Sequence, residues 1–529
     1  MNKNLFSAPR GAPADTVNLA GGRAYKLESK HALAQAAATG CFSDTFYLEA
    51  KQQLSDVSKL CSEVESNFIA KCAVYARLRG FMKDMPAYLC AYLAKADVEL
   101  LRQVFPTVID NPKMLRNFVQ IIRSGAVGRK SLGSAPKKLV EQWFASRNHD
   151  QIFRGSIGND PSMADVIKMT HPKPKDATRN ALYGYLIGKK HDAECLPSLV
   201  KHFEAFKKDP EHVEMPAIDF RMVTALPLSK EAWKAVAGNM NWQTLRMNLN
   251  TLERHGVLAD KKMVQMVANK LRDPNEVRRS RVFPYQLMVA FMNYDGNPAI
   301  KEALQDAMDI AVENVPTIEG NVVVAIDVSG SMNDPITGKR AGATSKVRCV
   351  EVAGLFAACL IKKNPTVRVM PFHGEVLNVT LNPRDSIMTN AEKLARLCSN
   401  GTRVAAPLEK LNADKAKVDA VIYFSDNESW MERWSASRYC GFGQIAITDT
   451  MNEWNKLKKR NPKCKLACVD LTPNQTSQAK ESSDVLNIGG FSDVIFDILN
   501  EFFAGDFGKD FWTRSIEKID LNTLDKLRA

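Results

Sequence analysis

The chain has 529 residues, 45% of them hydrophobic and 25% charged, with a formal net charge of +13. That length exceeds a single core, so two or more domains are expected, and the balance is that of a soluble globular protein rather than a fibrous or disordered one. No apolar run approaches the ~20 residues that span a bilayer, and the opening "MNKNLFSAPRGAPADTVN" lacks the apolar stretch of a secretory signal, so a cytoplasmic location is expected.

In chain order, residues 1–20 read as a flexible Pro/Gly-containing arm. From about 21 to 315 helix follows helix: "SKHALAQAAATG", "SNFIAKCAVYARLRG", "MPAYLCAYLAKAD", "VELLRQVFPTVID", "NPKMLRNFVQIIRSG" and "APKKLVEQWFASRN" all carry apolar residues at helical spacing. "SKEAWKAVAGNM", "NWQTLRMNLNTLERHG", "DKKMVQMVANKLRD" and "VFPYQLMVAFMNY" continue the pattern. Short helices without a convincing strand point to stacked helical hairpins of HEAT-like type, with degenerate repeats and an extended surface suited to a large ligand.

Charge is concentrated in this half. Residues 1–320 hold 44 Lys/Arg against 34 Asp/Glu, and residues 101–200 alone hold 16 against 8. The local excess favours a polyanion, nucleic acid ahead of membrane because no basic amphipathic helix stands out; a merely well-solvated basic face is the competing reading. Within "ADVIKMTHPKPKDATRNALYGYLIGKK", Lys168, His171, Lys173 and Lys175 crowd around two prolines. Upstream lie Arg123 and, in "GRKSLGSAPKK", Arg129, Lys130, Lys137 and Lys138. These cations can neutralise phosphates, and His171 can stack on a base or contact phosphate, although a histidine beside a helix end also serves as a cap or a packed residue.

Near residue 320 the pattern changes. "NVVVAIDV", "VRVMPFHG", "VDAVIYFSD", "KLACVDL" and "DVLNIGG" are short runs rich in β-branched residues, with helical stretches between them. The alternation predicts a doubly wound parallel sheet over 316–506, whose ligands sit at the carboxyl ends of strands. Residues 507–529 form a tail without a reading. Eleven cysteines without a CxxC pair read as buried free thiols of a reducing compartment, in preference to zinc ligands, even for the neighbours Cys464 and Cys468.

The stretch "VVVAIDVSGSMND" ends an apolar strand in Asp327 and sets Ser329 and Ser331 behind it at spacings of two. With Thr402 of "NGTR" and Asp426 of "VIYFSDNES", five oxygen-bearing residues on three loops are available to one hard cation, magnesium being the expected one. Few charges among them would leave that ion able to accept an outside carboxylate or phosphate oxygen. A serine-rich turn with no ligand is the plain alternative. A haloacid-dehalogenase-type phosphatase needs a second carboxylate where Ser329 stands. No H-E-x-x-H, nucleophile elbow or P-loop occurs, so an enzyme is not expected.

"DVSGS", "NGT" and "SDNE" on a parallel sheet resemble the metal-ion-dependent adhesion site (MIDAS) of von Willebrand factor type A domains. Their pairing with a helical-repeat module, together with "VIKMTHPKP", "VGRKSLGSAPKKLVEQWF", "RVFPYQLMVAF", "AIDVSGSMN", "FSDNES" and "GGFSDVIFDIL", resembles the Ro autoantigen (TROVE) family from about residue 18 to 503, in its bacterial form. The resemblance implies a non-enzymatic, monomeric ribonucleoprotein scaffold. Its helical repeats, residues 21–315, would close into a ring. Small structured Y RNA would bind the outer basic surface, and single-stranded 3′ ends of misfolded RNA would enter the hole for quality control or decay. The resemblance also implies an exoribonuclease such as polynucleotide phosphorylase as partner. Lys168 and His171 fall where the family places RNA contacts. Two departures bear on this: "FRGSIGNDPS", with only Arg154, replaces a basic stretch, and Arg403 replaces an acid after Thr402. The reading from another class is a protein-interaction scaffold that takes an acidic partner at the metal site.

Overall fold

The computed structural model describes residues 13–159, 161–224, 226–315, 317–339, 347–431, 447–505 and 508–528. The chain divides into two compact units that exchange segments several times. The first holds the described residues up to Val64, Phe283–Asn293 and Met308–Ile519; the second holds Glu65–Val282, Tyr294–Ala307 and the chain from Asp520. Among the described residues no helix is long and apolar enough to cross a membrane.

The first unit is built on a five-stranded sheet. Its strands are β3 (Val322–Asp327), β4 (Arg368–Phe372), β5 (Ala420–Ser425), β6 (Lys465–Asp470) and β8 (Val485–Gly489), in the order β4-β3-β5-β6-β8 and all parallel. These are the five runs picked out by their β-branched content. β3 and β5 are buried at every position, because helices cover both faces. The period of two sorts the core. Val323, Ala325, Val421 and Tyr423 pack with Leu408, Trp454 and Leu457 on one face. On the other, Phe424 stacks on Phe356 of the helix Cys349–Lys363, ring centroids 4.8 Å apart. The chain leaves β3 toward β4 on one side and returns to β5 on the other, so the carboxyl end of β3 is a topological switch point.

Residues 13–64 belong to this unit. The expected arm of residues 1–20 is ordered from residue 13: β1 (Thr16–Val17) and β2 (Arg23–Lys26) pair antiparallel, and β2 pairs with β7 (Thr476–Ser477). The lone residues of such short strands carry no periodic signal, which is why sequence gave no strand here. Residues 1–12 lie outside the described residues. The helix Ser29–Thr39 is buried from His31 to Thr39 without interruption, since alanine allows close approach on every side. The boundary read near residue 315 therefore does not separate two contiguous bodies. Of the tail, Phe511–Glu517 is a helix of this unit, with Trp512 fully buried.

The second unit is a succession of helices, beginning Ser66–Leu78, Asp84–Ala96, Val98–Val108 and Pro112–Ser124; the first packs on the second and third, and the second on the third and fourth. Local signals end them as expected. Asp97 accepts from the backbone N–H of Glu99 and Leu100, Asn111 from that of Met114 with Pro112 at the first turn, and Gly125 closes the last in a left-handed conformation.

Candidate functional site

Asp327, Ser329, Ser331, Thr402 and Asp426 are all buried, at 7% exposure or less. β3 delivers Asp327 at its last position. Ser329 donates its backbone N–H to Asp327 Oδ1 at 2.9 Å, and the Ser329 and Ser331 hydroxyls lie 3.3 Å apart. Ser425, which ends β5, donates its hydroxyl to Asp327 Oδ2 at 2.6 Å, and Ser331 and Asp426 line one cleft. The loop carrying Thr402 is tied to both others. Gly330 N–H donates to Asn400 O at 2.8 Å, and the N–H groups of Trp430 and Met431 donate to Thr402 O at 3.3 and 3.1 Å. The three loops named from the sequence thus meet at the carboxyl ends of β3 and β5.

The electrostatics show what such a cluster lacks. Burial raises the Asp327 carboxyl above its ordinary range and raises Asp426 to about 7, with the Asp327 charge adding to the second shift. No lysine or arginine enters either shift among its leading causes; His373 acts on Asp327 alone. Two facing buried carboxylates with hydroxyls between them and no paired cation fit a hard divalent ion. Among the described residues no three His, Cys, Asp or Glu side chains gather for a metal, so an ion held here would draw part of its shell from hydroxyls. Arg403 does not intrude: its guanidinium is hydrogen-bonded to Glu409.

Two further acids sit beside the cluster. Asp470 ends β6, is raised by burial and by Glu428 and Asp426, and accepts from Gln35 Nε2 at 2.8 Å. Glu428 is fully buried, raised to about 8, and accepts from Ala20 N–H at 3.0 Å. The strand-end rule that singled out Asp327 and Asp426 applies equally to Asp470; nothing in the sequence linked either acid to the N-terminal segment.

The basic residues separate into two kinds. Lys168 is exposed in the last turn of the helix Met163–Thr170, and His171 is exposed behind it. His171 adopts φ 49 and donates its backbone N–H to Ile167 O at 2.9 Å, so its main chain caps the helix while its ring faces solvent. Lys173 and Lys175 are exposed on the extended bridge to the helix Ala177–Leu186. The helix Met163–Thr170 packs against Pro112–Ser124 and Ser134–Ala145, which carry exposed Arg123 and exposed Lys137 and Lys138; Lys130 is also exposed. Arg129 is of the other kind. Its guanidinium donates to the carbonyls of Ser131, Ala94 and Leu132 at 2.8–2.9 Å, bracing its own loop. Arg179 is likewise structural, 1% exposed and donating to Phe144 O and Arg147 O. Part of the basic excess in 101–200 is therefore internal.

A family model described as the Ro60 vWA domain matches residues 321–503, and one described as the TROVE domain matches 221–297. An RNA-binding protein RO60 of Deinococcus radiodurans is 24% identical over 526 residues, covering 92% of this chain and 95% of that protein. A protein of the same name from Caenorhabditis elegans is 23% identical over 291 residues, 52% of this chain and 42% of that one. The crystal structure of the Deinococcus radiodurans Ro (Rsr) protein shares the fold, with a TM-score of 0.62 at 21% identity over 91% of this chain and 100% of that one. With matches to a TROVE-domain model and a Ro60-type A-domain model in one polypeptide, and an alignment over most of its length with a Ro protein, this chain is similar to the Ro proteins.

Proposed function

We propose that this protein is a non-enzymatic RNA-binding scaffold of the Ro ribonucleoprotein type. The observation that carries the reading is the near full-length similarity to a protein named for RNA binding, with both of its domain types present. In support, Lys168, His171, Lys173 and Lys175 project to solvent from a segment whose backbone is fixed by prolines and a helix cap, an arrangement suited to phosphates and unstacked bases rather than to a sequence code. Arg123, Lys130, Lys137 and Lys138 extend the set; Arg129 contributes through its loop. The RNA proposed is a small structured Y RNA, with misfolded RNA presenting a single-stranded 3′ end as a second class and an exoribonuclease as the enzyme served. The described cysteines are all free thiols, in keeping with a cytoplasmic protein. The cation proposed for Asp327, Ser329, Ser331, Thr402 and Asp426 is Mg2+.

The test is to purify the protein from its own cells and sequence the RNA that accompanies it, beside a Lys168→Ala/His171→Ala variant. A dominant small structured RNA, depleted in the variant, is expected. RNA at background in both preparations would overturn the proposal and move attention to an acidic protein partner at the Asp327 site.

A further inference from the structure

The residues 42–48 loop of the N-terminal segment crosses the mouth of the candidate cation site. A cleft of about 10 Å3, room for one water-sized species, is lined by Ser331 and Asp426 from below and by Thr45, Phe46, Tyr47 and Leu48 from above. Tyr47 is half-buried and lines this same cleft beside Ser331 and Asp426. A phenol is a neutral oxygen donor, the kind of ligand the cluster otherwise draws from serine and threonine.

The loop is fastened. Lys339 N–H donates to Asp44 O at 2.6 Å, Cys41 Sγ donates to Thr337 O at 2.8 Å, and buried Gln53 donates to Ser43 O at 2.6 Å. Gly338 permits the approach: it adopts φ +69, and a Cβ there would stand 2.8 Å from Asp44 O and 2.9 Å from Ser43 Cβ. At the loop's start Phe42 holds φ 50, a conformation a bulky residue keeps only when its surroundings impose it. These contacts all lie within the first unit.

We propose that Tyr47 fills the outward position of the cation site, so that the site holds its ion closed to an outside carboxylate until the 42–48 loop lifts. The proposal rests on the cation reading above. It separates this site from one built for standing engagement of an acidic protein: the default occupant is the chain's own tyrosine, and an outside ligand must displace it.

Mn2+ in place of Mg2+ gives a readout independent of RNA. Water-proton relaxation is measured on the full chain saturated with Mn2+, in wild type, Tyr47→Ala and Gly338→Val, the last displacing the loop without touching the site. Removing Tyr47 opens its position to an exchangeable water, so the bound-ion relaxivity is expected to rise by about 1.5-fold or more. Acetate is expected to reverse that rise in both variants and to leave wild type unchanged. Equal relaxivity and equal acetate response in all three would overturn the cap while leaving the cation site standing. Failure of wild type to bind Mn2+ any better than Asp426→Asn would overturn the cation reading and the cap with it.

Discussion

In the cation-free protein Asp426 holds its proton up to about pH 7, because burial and the Asp327 charge both oppose ionisation. Its folded value lies above its unfolded one, so stability falls as pH rises from the ordinary carboxylate range through about 7. A divalent ion opposes that loss by pairing with the ionised form. Mg2+ is thus expected to raise the melting temperature more at pH 8 than at pH 6, by an amount corresponding to about 2.7 kcal/mol once Mg2+ reaches a hundredfold excess over its dissociation constant. Asp426→Asn should abolish the response; a thermal melt with and without Mg2+ at both pH values decides it. His31 titrates in the opposite sense. It is 4% exposed, packs edge-on against Trp512 and leaves Nε2 unpartnered, and burial lowers it to about 4, against opposing contributions from the Asn487 backbone and Glu28 and a reinforcing one from Lys509. A histidine depressed in the fold contributes stability above its unfolded value that is lost as pH falls from about 6.5 toward 4. The loss should be on the order of 2–3 kcal/mol. In His31→Gln the slope of urea stability over that pH window should flatten; an unchanged slope would assign the acid sensitivity elsewhere. On the solvent side, Lys168→Ala should weaken RNA binding and reduce the slope of log affinity against log salt by about one, since one phosphate contact is lost.

At the scale of elements, the sheet strands were legible because each is a short apolar run between breakers, and the helices because their apolar residues recur at three and four. What could not be read are contacts of long sequence separation. The bond from Gln35 to Asp470 joins residues 435 apart, and Asn18 Nδ2 donates to Ser429 O across 411. Neither leaves a local pattern. Asp327 and Asp426 can be named as cation candidates because two strands of one sheet end at or just before them, and Thr402 from its "NGT" motif; Tyr47 cannot, because its place in the cleft beside Ser331 depends on that same distant packing. Charge counting misled for a different reason, since a guanidinium satisfies helix-end carbonyls as well as phosphates. Arg179 shows the cost of mistaking one for the other. It closes the carboxyl end of the helix Ser134–Ala145 through Phe144 O and reaches Arg147 O just beyond it. Arg179→Met should destabilise the second unit by about 2–4 kcal/mol in urea while leaving RNA affinity of the folded fraction unchanged. A loss of affinity without a loss of stability would make Arg179 an RNA ligand.

At the scale of the whole molecule, the described residues of 13–64 act as part of the parallel-sheet unit rather than as a lead-in to the helices. β2 extends to β7 through Tyr25↔Ser477, and the helix Ser29–Thr39 packs on β8 and on the helix Phe511–Glu517. Lys30 pairs with Glu517 at 2.7 Å. Asn18 and Ala20 hold the loop after β5 from above, and Gly22 is required where a Cβ would come within 1.8 Å of Ser429 O. A type A domain cut at residue 316 would expose the apolar floor under Ala32, Leu33, Ala36 and Ala37 and remove the Gln35 donor from Asp470 and the Ala20 donor from Glu428. Burial of a run of that kind is worth several kcal/mol, a large share of what a domain holds in reserve. Residues 308–519 expressed alone should therefore aggregate or melt without a cooperative transition, and co-expression with residues 1–64 should restore a soluble complex with a sharp one. A fragment 308–519 that melts cooperatively at the temperature of the full chain would show that the N-terminal segment adds no stability, leaving its contacts over the Asp327 site as its remaining role.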